Sequence, residues 1–272
     1  MMEWIRRAAV AGTFYPKESE ELIRMVESLL SRPPETLESP IAVMVPHAGY
    51  RYSGKIAAEV YKRISIPDTV ILLCPNHTGH GARVSVWGQG SWLTPIGEAR
   101  VDEDLAVRLV ESLPNAQCER EAHRLEHANE VHVPFLLYLK KNVRIVPITL
   151  GGLTLAQCLE LGERLGDVVK QRPKGSILLV ASTDMSHFIP ANKAHQQDEL
   201  ALAQVRRLSP ESLYETVCEH EISMCGFIPT TVVLQAAKRL GATTSTVLGY
   251  AHSGEVTGDH RSVVGYSNAI IQ

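Results

Sequence analysis

Four stretches of the chain are almost wholly apolar and rich in Ile, Val and Leu: residues 41–45, 70–73, 145–150 and 177–181. Short runs of this kind, without alternation, predict strands covered on both faces. Weaker strand patterns lie at 83–86, 245–250 and 263–271. Between the strands, apolar positions recur at three- and four-residue spacing. At 17–31 the stripe is Leu22, Ile23, Val26, Leu29 and Leu30. At 102–113 it is Leu105, Ala106, Leu109, Val110 and Leu113, with Asp102 placed as an N-cap. Helices are also predicted at 54–64, 129–140, 155–170, 191–207, 210–219 and 229–240; Ser209-Pro210 is a good start signal for the one at 210–219. Strands alternate with helices from end to end. That order predicts an α/β fold, one domain over residues 1–272, with a central mostly parallel or mixed sheet flanked by helices on both faces.

Composition narrows the function without naming it. A chain of 272 residues that is 44% hydrophobic can bury a large core. A net charge of −3, with no basic stripe, argues against nucleic acid and anionic membranes as partners. No run reaches the ~18 apolar residues of a membrane span. The opening Met1-Met2-Glu3-Trp4-Ile5-Arg6-Arg7 lacks the apolar core of a signal peptide. The five cysteines are odd in number and scattered, with no CxxC, which predicts a reducing, cytoplasmic setting. Cys118, Cys158 and Cys218 fall on helical patterns and are expected to pack as small hydrophobes.

Three of the four buried runs end in similar polar punctuation. Residues 41–45 lead into Pro46-His47-Ala48-Gly49-Tyr50, and 70–73 into Cys74-Pro75-Asn76-His77-Thr78-Gly79. Residues 177–181 lead into Ser182-Thr183-Asp184-Met185-Ser186-His187. Open α/β sheets bind ligands outside the carboxyl ends of their strands, so three separate segments each deliver a histidine to the edge where sites form. Alone, each histidine would be read as structural; together they point to a site.

A fourth cluster is Glu126-His127-Ala128-Asn129-Glu130-Val131-His132. On a helix, His127 and Glu130 would share a face, which suits a metal or a proton relay; a solvated helix start with Glu126 complementing the dipole is the bland alternative. No His-Glu-x-x-His occurs. The glycines at 79–81 and 249–258 lack the spacing of phosphate loops, so no nucleotide is expected. Ser186 beside His187 lacks the GxSxG elbow of a serine hydrolase. Cys225 precedes the helix expected at 229–240, where a helix N-terminus would lower its pKa and favour the metal-binding thiolate.

These motifs, taken in order, resemble the Memo family, whose bacterial and archaeal members are called AmmeMemoRadiSam system protein B. The resemblance runs through RAAVAGTFYP (7–16), PHAGYRYSG (46–54), PNHTG (75–79), EHANEVHVPF (126–135), STDMSHF (182–188), Cys225-Gly226 and GYAHSGEVTGDHRSVVGY (249–266). It implies a fold like that of class III extradiol dioxygenases and a pocket like their non-haem iron site. By motif it implies His47, His77 and Cys225 as metal ligands, with His187 and Asp184 lining the same pocket and His127 and Glu130 as further candidates. Three positions depart from the family's usual pattern: Cys74 stands for Gly, His132 for Gln, and His252 for Thr or Asn. Each is an additional candidate ligand.

Two imidazoles and a thiolate would leave a coordination position open, as in catalytic rather than structural sites. The thiolate makes the set softer than two histidines and a carboxylate; it favours Cu(I) or Zn without excluding Fe(II). A thiolate beside activated oxygen is prone to oxidation, an argument against ordinary ring cleavage. His187 is the expected acid/base, with Asp184 fixing its tautomer. Two functions fit: a metal-dependent, dioxygenase-like oxidoreductase acting on a small molecule, or a non-catalytic protein that binds metal or peptide.

Overall fold

The four apolar runs form adjacent strands at the middle of a mixed sheet. A computed structural model of the chain describes residues 4–272; the first three residues of the N-terminal stretch discussed above lie outside it. Among the described residues, strands β1 (Ile5–Arg6), β2 (Ala42–Val45), β3 (Thr69–Pro75), β4 (Val84–Val86), β5 (Ser91–Thr94) and β6 (Gly97–Val101) are followed by β7 (Ala116–Cys118), β8 (Arg144–Leu150), β9 (Ile177–Ser182), β10 (His187–Ile189), β11 (Ser245–His252) and β12 (Val263–Ile271). The helices are α1 (Ser19–Leu29), α2 (Tyr50–Tyr61), α3 (Glu103–Ser112), α4 (Val133–Leu139), α5 (Leu155–Lys170), α6 (Ala191–Arg206), α7 (Pro210–Glu219), α8 (Phe227–Arg239) and the short α9 (Gly254–Thr257).

The sheet runs β1-β5-β6-β8-β3-β9-β2-β12-β10, with β11 paired to β12 and β4 to both β7 and β8. Strands β8, β3, β9 and β2 are mutually parallel, and β12 closes against β2 in the antiparallel sense. Every residue of β2, β3 and β9 is buried, so helices cover both faces. Helix α8 packs across β2, β3 and β9 and against α5 and α7, while α1, α2 and α4 form a second group. This is the α/β architecture that the strand–helix alternation predicts, with one continuous apolar core.

Several local signals act as expected. Asp102 caps α3 by accepting from Leu105 N at 3.1 Å, and its other oxygen holds Thr69 and Arg172. Thr154 and Gln157 form a capping box at the start of α5. Other boundaries shift. Helix α2 begins at Tyr50, not at 54, because its first turn carries little apolar periodicity. The helix expected over 129–140 is split into a 3-10 turn at Glu130–His132 and α4, in which Pro134 sits in the first turn, where a missing N–H costs least. The short strands β1, β5, β6, β7 and β10 carry too few alternating residues to announce themselves. Cys118 lies on strand β7, not on a helix, and both it and Cys218 are exposed; of the three cysteines expected to pack as small hydrophobes, only Cys158 is buried. Among the described residues no helix is long and apolar enough to cross a membrane.

Candidate metal centre

Parallel strands aligned in register bring their carboxyl ends to one edge. Because β9 lies between β3 and β2, the turns after all three strands meet there. Neighbouring strands are about 4.8 Å apart, so side chains leaving β2 and β3 can reach each other across the end of β9. His47 follows β2 and His77 follows β3, and their ring centroids are 5.2 Å apart. Cys225 arrives from the opposite direction, two residues before α8.

The donor atoms of His47, His77 and Cys225 all lie within 4.8 Å of one another. Cys225 Sγ is 3.3 Å from His47 Nε2. That separation would let both atoms share one ion at ordinary metal–sulfur and metal–nitrogen distances. Glycine at 226 permits the approach: a Cβ there would stand 2.4 Å from Ser182 O and 2.4 Å from Thr183 Cβ. Gly226 N donates to Thr183 Oγ1 at 3.0 Å, which ties the Cys225 turn to the end of β9.

Each histidine turns its Nδ1 away from this point, toward a buried polar partner. His77 Nδ1 lies 2.9 Å from Glu126 Oε1, and a carboxylate can only accept; His77 N donates to the other oxygen at 2.7 Å. The Nε2 of His77 is therefore the bare nitrogen, in a carboxylate–histidine pair of the kind that supports metal ligands. Burial opposes ionisation of Glu126, but the hydrogen bonds from His77 and from Ala128 N hold its pKa below the usual carboxylate range. His47 Nδ1 lies 2.8 Å from Ser182 Oγ. Burial, and after it the neighbouring His127 and His77, push the His47 pKa well below that of free imidazole, so the ring is neutral near pH 7.

The remaining expected residues divide. His127 stacks on His77 at 4.8 Å and meets His47 edge-on at 5.4 Å; together with His77 and Glu126 it forms a second, overlapping donor group. It does not share a helical face with Glu130, because it precedes the 3-10 turn. Glu130 faces away from the donor set. Its carboxylate accepts from Arg6 Nη1 (2.6 Å), Ala9 N (2.8 Å), Val10 N (3.0 Å) and Tyr15 Oη (2.6 Å), a clamp on the N-terminal segment. That segment reaches the site through Phe14, whose ring lies 4.7 Å from His127.

Asp184 does not orient His187. It accepts from His47 N at 2.8 Å and is buried, and burial raises its pKa to about 6. His187 Nδ1 instead donates to Ser223 O at 2.9 Å, and His187 N donates to Ser223 Oγ at 2.8 Å, which leaves Nε2 as the unprotonated nitrogen. The thiol of Cys225 is not acidified: burial, and after it the Asp184 charge, push its pKa up. Desolvation outweighs the helix terminus, and only a bound cation would reverse that balance.

Three further candidates fall outside the donor set. Cys74 is buried and sits 3.6 Å from Thr149 Oγ1. His132 Nε2 pairs with Ser182 Oγ at 2.8 Å, behind His47. His252 lies on β11 against His260, with ring centroids 5.2 Å apart. Sequence reasoning missed Glu126 and Ser182 as working residues. Glu126 stands in the motif beside His127, but nothing in spacing links it to His77, and nothing links Ser182 to His47. A cavity of about 410 Å³, lined by Asp102, Arg144 and Arg172, opens at the opposite, amino-terminal ends of β3 and β8 and is separate from this cluster.

The sequence matches the model of a family described as "Memo-like protein" over residues 6–270. A "MEMO1 family protein" of Aquifex aeolicus is 42% identical over 267 residues, covering 98% of both chains. A protein of the same description from Methanobrevibacter smithii is 38% identical over 282 residues, covering 98% of this chain and all of the relative. Among solved structures, an uncharacterized protein of Escherichia coli K12 superposes with a TM-score of 0.59 at 16% identity, covering 84% of this chain and 98% of that one, which is a likeness of fold.

Proposed function

This chain belongs to the Memo-like protein family, and from that premise we propose that it is a metal-dependent oxidoreductase acting on a small molecule, with the ion held by His47, His77 and Cys225. The carrying observation is that three side chains from distant segments converge on one point, with the Nδ1 of each histidine taken up by another partner. Unrelated capping histidines and a packed thiol would have no reason to aim donors at each other.

The residues fit a transition metal by their chemistry. Two neutral imidazoles and one thiol make a borderline-soft set suited to Cu(I), Zn(II) or Fe(II), and three ligands leave room for a substrate. When bound, Cu or Fe would supply one-electron chemistry and the positive charge that ionises Cys225. His187 would handle protons through its free Nε2, held in place by Ser223. Asp184 fixes the His47 backbone and, with its raised pKa, can share a proton within the pocket. All five cysteines are free, which fits a reducing, cytoplasmic setting. No nucleotide or nucleic acid enters this reading.

A second reading, non-catalytic binding of a peptide, is favoured by one observation. Phe188, beside His187, is 76% exposed, and such an aromatic suits a docking rim.

Metal analysis of anaerobically purified protein, followed by titration of the metal-free form with Cu(I), Zn(II) and Fe(II), tests the centre. One equivalent should bind, and Cys225→Ser should weaken Cu(I) more than Fe(II) because thiolate is the soft ligand. Unchanged Cu(I) affinity in Cys225→Ser would remove Cys225 from the site. His187→Ala should spare metal binding and abolish any turnover; turnover that survives it would remove His187 as the proton-handling group.

A further inference from the structure

Behind His47 lies a buried hydroxyl with three polar neighbours. Ser182 Oγ is 2.7 Å from Ala128 O, 2.8 Å from His47 Nδ1 and 2.8 Å from His132 Nε2. All these side chains are buried, with Ser182 fully so and His47 and His132 at 1% exposure. A hydroxyl has one proton, and a carbonyl can only accept. The Ser182 proton therefore points to Ala128 O, and both imidazoles must donate to the Ser182 lone pairs. Any other assignment sets two lone pairs against each other at 2.7–2.8 Å in a buried site, at the full cost of an unsatisfied buried group.

We propose that Ser182 and His132 are positioning residues that lock His47 in its Nδ1–H tautomer and so keep the Nε2 lone pair aimed at the point shared with Cys225 and His77. The proposal rests on the metal-centre reading and deepens it. His132 is thereby neither a ligand nor an inert core histidine. It satisfies the second lone pair of Ser182, while Ala128 O, which can only accept, keeps the hydroxyl proton from turning to His47. Without the lock, the other tautomer would place a proton on Nε2, where Cys225 Sγ at 3.3 Å and Asp184 Oδ2 at 3.9 Å wait as acceptors. A protonated Nε2 cannot bind an ion. The two donor histidines would then be locked by different devices: His77 by the Glu126 carboxylate, and His47 by a neutral serine–histidine pair.

The test begins with the metal-free wild-type protein. Long-range 1H–15N spectra of 15N-histidine-labelled protein, with His47 assigned by its loss in His47→Ala, report which ring nitrogen carries the proton. The expected result is a protonated Nδ1 and a bare Nε2; a protonated Nε2 overturns the proposal without any variant being needed. In Ser182→Ala the proton should move to Nε2, and Zn(II) and Cu(I) affinities should each fall by about 10–100-fold. His132→Phe should weaken both in the same direction, and His132→Gln, whose amide can donate from nearly the same place, should restore most of the loss. An unchanged tautomer and unchanged affinities in a folded Ser182→Ala also overturn the proposal. His47→Ala separates the two readings. If it retains Zn(II) and Cu(I) affinity, the metal-centre assignment fails; if it loses them while Ser182→Ala does not, only the lock fails.

Discussion

Replacing Glu130 with glutamine tests a buried ion pair that holds the N-terminal segment. Glu130 and Arg6 form an ion pair at 2.6 Å with side chains 1% and 2% exposed. Arg6 also donates to His123 O and Glu126 O, both at 2.7 Å, and its guanidinium lies 4.1 Å from the Trp92 ring centre. The substitution keeps the shape of residue 130 and removes its charge. Arg6 is then a buried cation without a counterion, and the new amide N–H2 faces donors on Arg6, Tyr15 and the backbone of Ala9 and Val10. Removing one partner of a buried pair costs about 3–5 kcal/mol. For a domain of this size each kcal/mol moves Tm by about 2–4 °C, so the fall should be on the order of 10 °C. Thermal melts by circular dichroism of the metal-free protein measure it. The double variant Arg6→Met/Glu130→Met should lose less than the single substitutions summed, because it removes both charges together. A fall below about 2 °C for Glu130→Gln would refute the claim that this pair pins residues 6–15. Because Arg6 holds Glu126 O, Zn(II) affinity should also drop in Glu130→Gln; unchanged affinity would show that the clamp and the donor set are independent.

Acid should destabilise the metal-free protein before its carboxylates unfold it. Burial lowers the pKa values of His123 and His132 to about 3, so the unfolded state binds their protons first as pH falls below about 6.5, and their contribution, complete above that pH, is lost on the way down. Asp184, raised to about 6, works the opposite way, leaving a net loss of about 3 kcal/mol between pH 7 and pH 5; a flat melting temperature over that range would contradict it. Gly226→Ala should lower stability by about 1–3 kcal/mol and weaken Zn(II) binding, since its Cβ would collide with Ser182 O and Thr183 Cβ and push Cys225 outward. Equal Zn(II) affinity in calorimetric titration would count against the position given to Cys225. Phe188→Asn should leave Tm within about 2 °C or raise it, because Phe188 is exposed and holds φ at +60°, a conformation that asparagine tolerates better.

The sequence by itself determined the sheet's centre and much of the site's edge. Runs 41–45, 70–73, 145–150 and 177–181 became β2, β3, β8 and β9 because strands covered on both faces have no polar alternative to hide. The punctuation after three of them was equally readable, since a histidine following a buried parallel strand is carried to the ligand-binding edge by chain direction alone. Spacing and polarity could not say which donors meet. His47 and His77 become neighbours because β9 alone lies between β2 and β3, and Cys225 joins them because α8 crosses β2, β3 and β9. The same packing reassigned residues that looked alike in sequence. Glu126 became the partner of His77 while Glu130, four positions on, was drawn to Arg6; His132, a candidate ligand by type, was turned toward Ser182. Asp184 and His187 share one short motif, yet the turn sends one to the His47 backbone and the other to Ser223. Local patterns record burial and chain direction, which propensity and hydrophobicity control. Pairings among buried polar groups are set by desolvation, which requires each donor and acceptor to find the partner that the tertiary structure brings within reach.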